Sequence, residues 1–211
     1  MSGSYRSSLR SLHKAVLLGL LLFPLCVARG ANRDWHYQET RNDSREFAAG
    51  GMLHVHMSVG DMHIKRGDSD KLRLTYTVKS HRERNVKEAR VDFDVRGNDA
   101  TIEFHAPSSN TQFDVEIEVP ANTNLDVHEK VGDLTVDDIE GDKDLQLGVG
   151  DIRIAKGNSS YHLVRASTGI GDLNSDGYGE TSGWLGKELK YRGDGKYELR
   201  AHVGVGDITL E

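Results

Sequence analysis

Apolar and polar residues alternate with a period of two over most of this chain. Leu53, Val55, Met57 and Val59 are separated by His54, His56 and Ser58, and Leu72, Leu74, Tyr76 and Val78 by Arg73, Thr75 and Thr77. Alternation of this kind puts successive side chains on opposite faces of a strand and buries one face. Val91, Phe93 and Val95 run into Gly97-Asn98-Asp99 and then Ile102 and Phe104, which is the pattern of a hairpin. Phe113, Val115, Ile117 and Val119 mark a further strand, closed by Pro120-Ala121-Asn122. No sustained helical period follows the N-terminal segment, and the charged stretch SHRERNVKEAR (80–90) has room for a helical turn but reads first as a solvated connection. The class expected is all-β.

One phrase recurs. Asp61, Asp133, Asp151, Asp172 and Asp207 each follow a glycine, and the residues around them align. Six before stand Val55, Val127, Leu145, Ala166 and Ala201; two before, Val59, Val131, Val149, Ile170 and Val205; one after, Met62, Leu134, Ile152, Leu173 and Ile208. Three after stand Ile64, Val136, Ile154, Ser175 and Leu210. The parity of the apolar positions switches across each Gly-Asp step, which marks a turn or bulge within a strand. Leu145, Leu147, Val149, Ile152 and Ile154 are therefore expected to form one buried line across the turn. The spacings between aspartates, 72, 18, 21 and 35, suggest a period near 20 residues. Stacked repeats of that length predict a single-domain β-solenoid, with hairpins in its first half. Strands with regular turns also suit a β-sandwich, which stays as the alternative.

The N-terminus changes the picture of charge and compartment. Arg6, Arg10 and Lys14 precede an apolar run from Ala15 to Leu22, extended by Phe23 to Ala28, with small residues at Ala28, Gly30 and Ala31. That is the layout of a secretory signal peptide over residues 1–30, cleaved after Ala28 or Gly30, and the run is short for a membrane span. Cys26 is the one cysteine of the chain; Pro24 and Leu25 before it do not match a lipoprotein signal, so it reads as part of the apolar region. Without residues 1–30, 23 basic residues face 33 acidic ones, a net charge of −10. An acidic chain without cysteine argues against nucleic-acid binding and against a disulfide scaffold. Residues 31–44 read as a linker and 45–211 as the folded domain. The C-terminus, Leu210-Glu211, carries no apolar tail or sorting signal.

The order of these segments resembles a known family. "HVHMSVGDMHIKRGDSDKLRLTYTV", the hairpin "VDFDVRGNDATIEFHA" and then "FDVEIEVPANTNLDVHEKVGDLTVDDIEGD" lead into the repeated Gly-Asp turns. This is similar to the bacterial putative-adhesin family of exported β-solenoid domains, over about residues 45–211. In that family serine or threonine often precedes the Gly-Asp turn, where this chain usually has valine or isoleucine. The resemblance implies an exported module in the periplasm or at the cell surface.

Candidate chemistry is sparse. The five turn aspartates read as turn locks that accept backbone N–H bonds. In neighbouring repeats Asp133, Asp151 and Asp172 would stack, and a hard cation such as Ca²⁺ would relieve their repulsion. His54 and His56 share a strand face, and with His63 they are a possible zinc or copper set. No nucleophile elbow, phosphate loop or zinc-protease helix occurs. Asp137-Asp138 and Glu116/Glu118 read as solvated, edge-protecting acids. Tyr161, Tyr178, Trp184, Tyr191 and Tyr197 gather near the C-terminus, with Trp184 either capping the end of the repeats or serving as a ligand platform. No catalytic, cofactor or metal residues are assigned. The expected function is a non-catalytic binding or scaffolding module of the envelope, meeting an unidentified glycan or protein. The alternatives are an extracytoplasmic carbohydrate-active enzyme and a cation-stabilised structural protein.

Overall fold

A computed structural model describes residues 35–155 and 160–211, and nearly every alternating segment in it is a strand. In chain order these are β1 (Tyr37–Glu46), β2 (Met52–Arg66), β3 (Lys71–Ser80), β4 (Arg90–Arg96), β5 (Asp99–His105), β6 (Thr111–Val119), β7 (Asn124–Val131) and β8 (Leu134–Asp137). They continue with β9 (Lys143–Val149), β10 (Ile152–Ala155), β11 (Tyr161–Ile170), β12 (Leu173–Ser175), β13 (Glu188–Arg192), β14 (Tyr197–Val205) and β15 (Ile208–Leu210). The fold is all-β. The signal peptide expected over residues 1–30 lies outside the described residues. Residues 37–44, inside the stretch read as linker, lie in β1, which pairs antiparallel with β3 along its whole length.

The Gly-Asp steps organise the sheet. Strand β2 passes through Gly60-Asp61; before that point it pairs in parallel with β5 and β7, and after it with β6 and β8. The later Gly-Asp steps likewise join β7 to β8, β9 to β10, β11 to β12 and β14 to β15. Two half-sheets result, sharing β2. The first runs β4-β5-β2-β7-β9-β14-β11-β13, and the second runs β1-β3-β6-β2-β8-β10-β15-β12. The tiers that carry the repeat pair in parallel, whereas β1, β3, β4 and β13 add on antiparallel.

Spatial order departs from chain order. The final tier, β14 and β15, lies between β9/β10 and β11/β12. Asp151 and Asp172 are therefore not neighbours, as the 21-residue spacing suggested; Asp207 stands between them. The sequence leaves a trace of this order. Gly148, Gly204 and Gly169, each three residues before a turn aspartate, come from three adjacent tiers. A Cβ on Gly204 would fall 2.5 Å from the Gly148 carbonyl, and one on Gly169 2.5 Å from the Gly204 carbonyl.

Three of the four aligned apolar columns are interior. Val55, Val127, Leu145, Ala201 and Ala166 stack in register and are buried, as are Met62, Leu134, Ile152, Ile208 and Leu173. The third, Ile64, Val136, Ile154 and Leu210, is buried too, apart from the half-buried Ser175. Each fully buried leucine or isoleucine contributes about 1.5–3 kcal/mol through removal from water. The fourth column corrects the sequence reading. Val131, Val149, Val205 and Ile170 are 44–57% exposed, so Val149 does not belong to the buried line with Leu145 and Leu147. Each is the last residue of its strand, where the chain turns the corner and its side chain lies past the packed face.

The ends are closed differently from expectation. At one end Tyr76, Phe104 and Phe113 pack edge-on or tilted with centroids 5.2–6.3 Å apart. The charged connection beside them holds a short helix, α1 (Glu83–Glu88), with Val86 buried and Glu83–Lys87 and Arg84–Glu88 ion pairs one turn apart. Buried Asn85 donates to Ser80 Oγ and Ser108 Oγ, which anchors that turn. At the other end Tyr178 packs edge-on against Tyr161 of β11 and Tyr191 of β13. Trp184 is 91% exposed and so does not cap the stack.

Candidate functional site

The five turn aspartates form one ladder along the corner. The backbone N–H of Asp133 points at the Asp61 carboxylate (3.4 Å), that of Asp151 donates to Asp133 (3.1 Å), that of Asp207 to Asp151 (2.8 Å) and that of Asp172 to Asp207 (2.7 Å). Four of the five aspartates thus accept a backbone N–H group, but from the next tier rather than from their own turn. The glycine before each is required by contact as well as by conformation. Gly206 has φ 138°, and a Cβ there would fall 2.0 Å from the Gly150 carbonyl. Burial, with Asp114 and Asp133 adding repulsion, raises the pKa of the Asp61 carboxyl.

The histidines singled out in the sequence separate. The bend at Gly60-Asp61 leaves His54 and His56 on the first half-sheet and carries His63 to the second, where its Nε2 meets Asp137 Oδ2 at 2.7 Å. His54 Nδ1 meets Asp126 Oδ2 at 2.8 Å, and the other oxygen of that carboxylate lies 3.1 Å from His128 Nε2. His56 stacks on His128 with ring centroids 5.2 Å apart and planes 9° from parallel. Asp137, Asp138 and Glu116/Glu118 are on outward positions as expected, and all are ion-paired: with His63, Arg66, and Lys65 and Arg73.

Parallel pairing in register builds a groove that sequence reasoning missed. Outward residues at the same register position form a row across the first half-sheet, in the order Glu103, His56, His128, Gln146, His202, Ser167. A cavity of about 580 Å³ runs along this row, lined by His56, His105, His128 and His202 with Glu103, Lys130 and Gln146, and with Gly148 and Gly204. The two glycines remove side chains from the position next to the row. Ser167 Oγ lies 2.9 Å from His202 Nδ1 at the far end. A neighbouring cavity of about 440 Å³ shares His128 and Gln146 and adds Asp126, Asp142, Asp144, Glu198 and Arg200. The histidines alone do not reveal this groove, because His128 and His202 sit 72 and 146 residues from His56. The useful signal is their common place in the repeat, five residues before Asp61, Asp133 and Asp207.

Two buried ionisable groups underlie the face. Glu129 occupies an interior column between Met57 and Leu147 and is only 4% exposed. Neither of its carboxylate oxygens has a hydrogen-bond partner. Burial, assisted by the charges of Asp61 and Asp133, pushes its pKa up to about 8. Lys143 is 3% exposed, and burial pushes its pKa down to about 7. Its Nζ donates to the carbonyls of Ile139 and Gly141 and to Tyr161 Oη, so three acceptors match the three donors of an ammonium.

No family model matches the chain, and no curated protein matches it. Solved structures are similar to it. One is named as a "putative cell adhesion protein" from Clostridium sporogenes, 17% identical over 82% of this chain and 99% of that one, with a TM-score of 0.51. This likeness extends to the fold. A "putative adhesin" from Bacteroides fragilis is 14% identical over 82% of this chain and 97% of that one, with a TM-score of 0.36. A "putative lipid binding protein" from Parabacteroides distasonis is 11% identical over 82% and 94%, with a TM-score of 0.29. Among the described residues no helix is long and apolar enough to cross a membrane.

Proposed function

We propose that this chain is an exported, non-catalytic binding or scaffolding module of the bacterial cell envelope, adhesin-like and built as a β-solenoid. It engages an envelope glycan or protein along the histidine-lined groove. The observation that carries the reading is the groove itself. Five neighbouring parallel strands present polar side chains in one row around an open cavity of about 580 Å³, on strands held by a common core. Concave sites with a few placed polar groups are where ligands bind. The solenoid reading is supported by parallel tiers that all turn at the same Gly-Asp corner, with the interleaved last tier as a departure from simple winding. Fold likeness to the Clostridium sporogenes protein supports an adhesin-like role. Export is supported by the signal-like layout of residues 1–30.

The glycosidase alternative needs an accessible acid with a raised pKa. Glu129, among the residues that line the groove, has the raised pKa, yet both its oxygens are buried from solvent. The test is binding of the chain without residues 1–30 to a glycan array and to fractionated envelope material, beside a His128→Ala/His202→Ala variant. The expected result is a specific ligand whose binding drops about tenfold or more in the variant, as for loss of a well-placed hydrogen-bonding group, while the unfolding midpoint is unchanged. Binding that ignores the variant contradicts the assignment to this groove.

A further inference from the structure

At one end of the row the groove is lined by Glu103 and His105 of β5, which pairs with β4 in a hairpin. Asp92 and Glu103 stand directly opposite each other there as antiparallel partners, and two carboxylates in that relation repel. His105 follows Glu103 on the same face, with Nε2 at 2.8 Å from Asp92 Oδ2 and 3.8 Å from Glu103 Oε2. One donor atom from each of the three lies within 4.8 Å of the other two, a grouping unique among the described residues. Two atoms bound to one tetrahedral zinc stand about 3.3 Å apart, between the two distances just given. All three side chains are open to solvent, which gives an ion a path in. Arg90 Nε lies 3.9 Å from Asp92 Oδ1, and among the described residues no lysine or arginine is ion-paired with Glu103.

We propose that Asp92, Glu103 and His105 bind a divalent transition-metal ion of the zinc type at the mouth of the groove. The imidazole selects against hard cations such as calcium, which take all-oxygen sites. Three protein ligands leave a fourth position for water or for a donor from the groove's occupant. His56, in register with Glu103 on the adjacent strand, is the nearest histidine of the groove row. Both ligand strands are held in the sheet, so the donors are placed by rigid elements rather than by a loop. This site does not depend on the adhesin-like reading.

The test is calorimetric titration of the untagged chain with zinc chloride at about pH 7.5, above the ordinary imidazole pKa. A Cys26→Ser background removes the competing thiol. The expected result is one zinc per chain, weakened at least about tenfold by His105→Ala and by Asp92→Asn. His128→Ala and equimolar calcium should leave it unchanged, and circular dichroism of all variants should match the parent. Absence of stoichiometric binding, binding in both ligand variants equal to that of the parent, displacement by calcium, or loss on His128→Ala with retention in His105→Ala would each overturn the proposal.

Discussion

The backbone N–H of Asp207 donates to the carboxylate of Asp151 at 2.8 Å, although 56 residues separate them in the chain. This bond links the last tier to the third and is one step in a ladder of five aspartates. The carboxylates of Asp61, Asp133, Asp151 and Asp207 each face the N–H of the next tier, with Asp172 ending the ladder as a donor, and this pattern supports a structural role for them.

Asp151→Ala removes that acceptor and should cost about 1–2 kcal/mol, whereas Asp151→Asn keeps an oxygen and should cost less. Urea unfolding of both variants checks the order. Because backbone N–H groups face the carboxylates, calcium and a calcium chelator should give the same melting temperature. A large rise with calcium would restore the cation-stabilised alternative.

Gly206→Ala forces a Cβ to 2.0 Å from the Gly150 carbonyl and should destabilise by more than about 3 kcal/mol, in the range of severe backbone strain. Gly97, in the β4–β5 turn with φ 63°, has nothing within 4 Å of such a Cβ. Gly97→Ala should therefore cost about 1–2 kcal/mol, the conformational term alone. Equal losses at the two sites would contradict the close stacking of tiers at the corner.

Leu147 and Val149 separate the inside from the outside of that corner. Leu147→Ala should cost about 2–5 kcal/mol because it empties a packed site. Val149→Ser should fall within about 0.5 kcal/mol of the parent, as for an exposed position. Comparable losses would put Val149 back into the core.

Glu129 makes stability depend on pH. Its folded pKa of about 8 lies above its ordinary 4.5, so the folded chain holds a proton that the unfolded chain releases. Its contribution is fully present below pH 4.5 and is lost as pH rises to about 8, by about 1.4 kcal/mol per pH unit. Glu129→Gln cannot ionise, so its stability relative to the parent should increase across this window. Parallel pH profiles for the two proteins would show that Glu129 is ionised in the fold.

Much of the fold was legible in the alternation. Every strand read from it exists, and the Gly97-Asn98 hairpin forms as predicted between β4 and β5. Three apolar columns were placed correctly because burial on a strand follows parity. Val149 was misplaced because parity holds along a strand but not at the residue where the chain leaves it. Tier order was hidden because neighbouring columns are chemically alike: Ala201 fits beside either Leu145 or Ala166, and it touches both. That same ambiguity concealed the groove. The trio His54, His56 and His63 came from proximity in sequence, whereas His56, His128 and His202 come together through register.

The placement of β14 between β9 and β11 brings His202 and Gly204 to the groove, and it can be measured directly. In a Cys26→Ser background, Gln146→Cys/His202→Cys joins residues that are register partners on adjacent strands, while Gln146→Cys/Ser167→Cys joins positions two strands apart. Adjacent strands lie about 4.8 Å apart, within the Cα separation that a disulfide spans. Mild oxidation should cross-link the first pair and leave the second as free thiols. Cross-linking of the Gln146/Ser167 pair in place of the Gln146/His202 pair would mean that the tiers follow chain order, and His202 would not line the groove as described here.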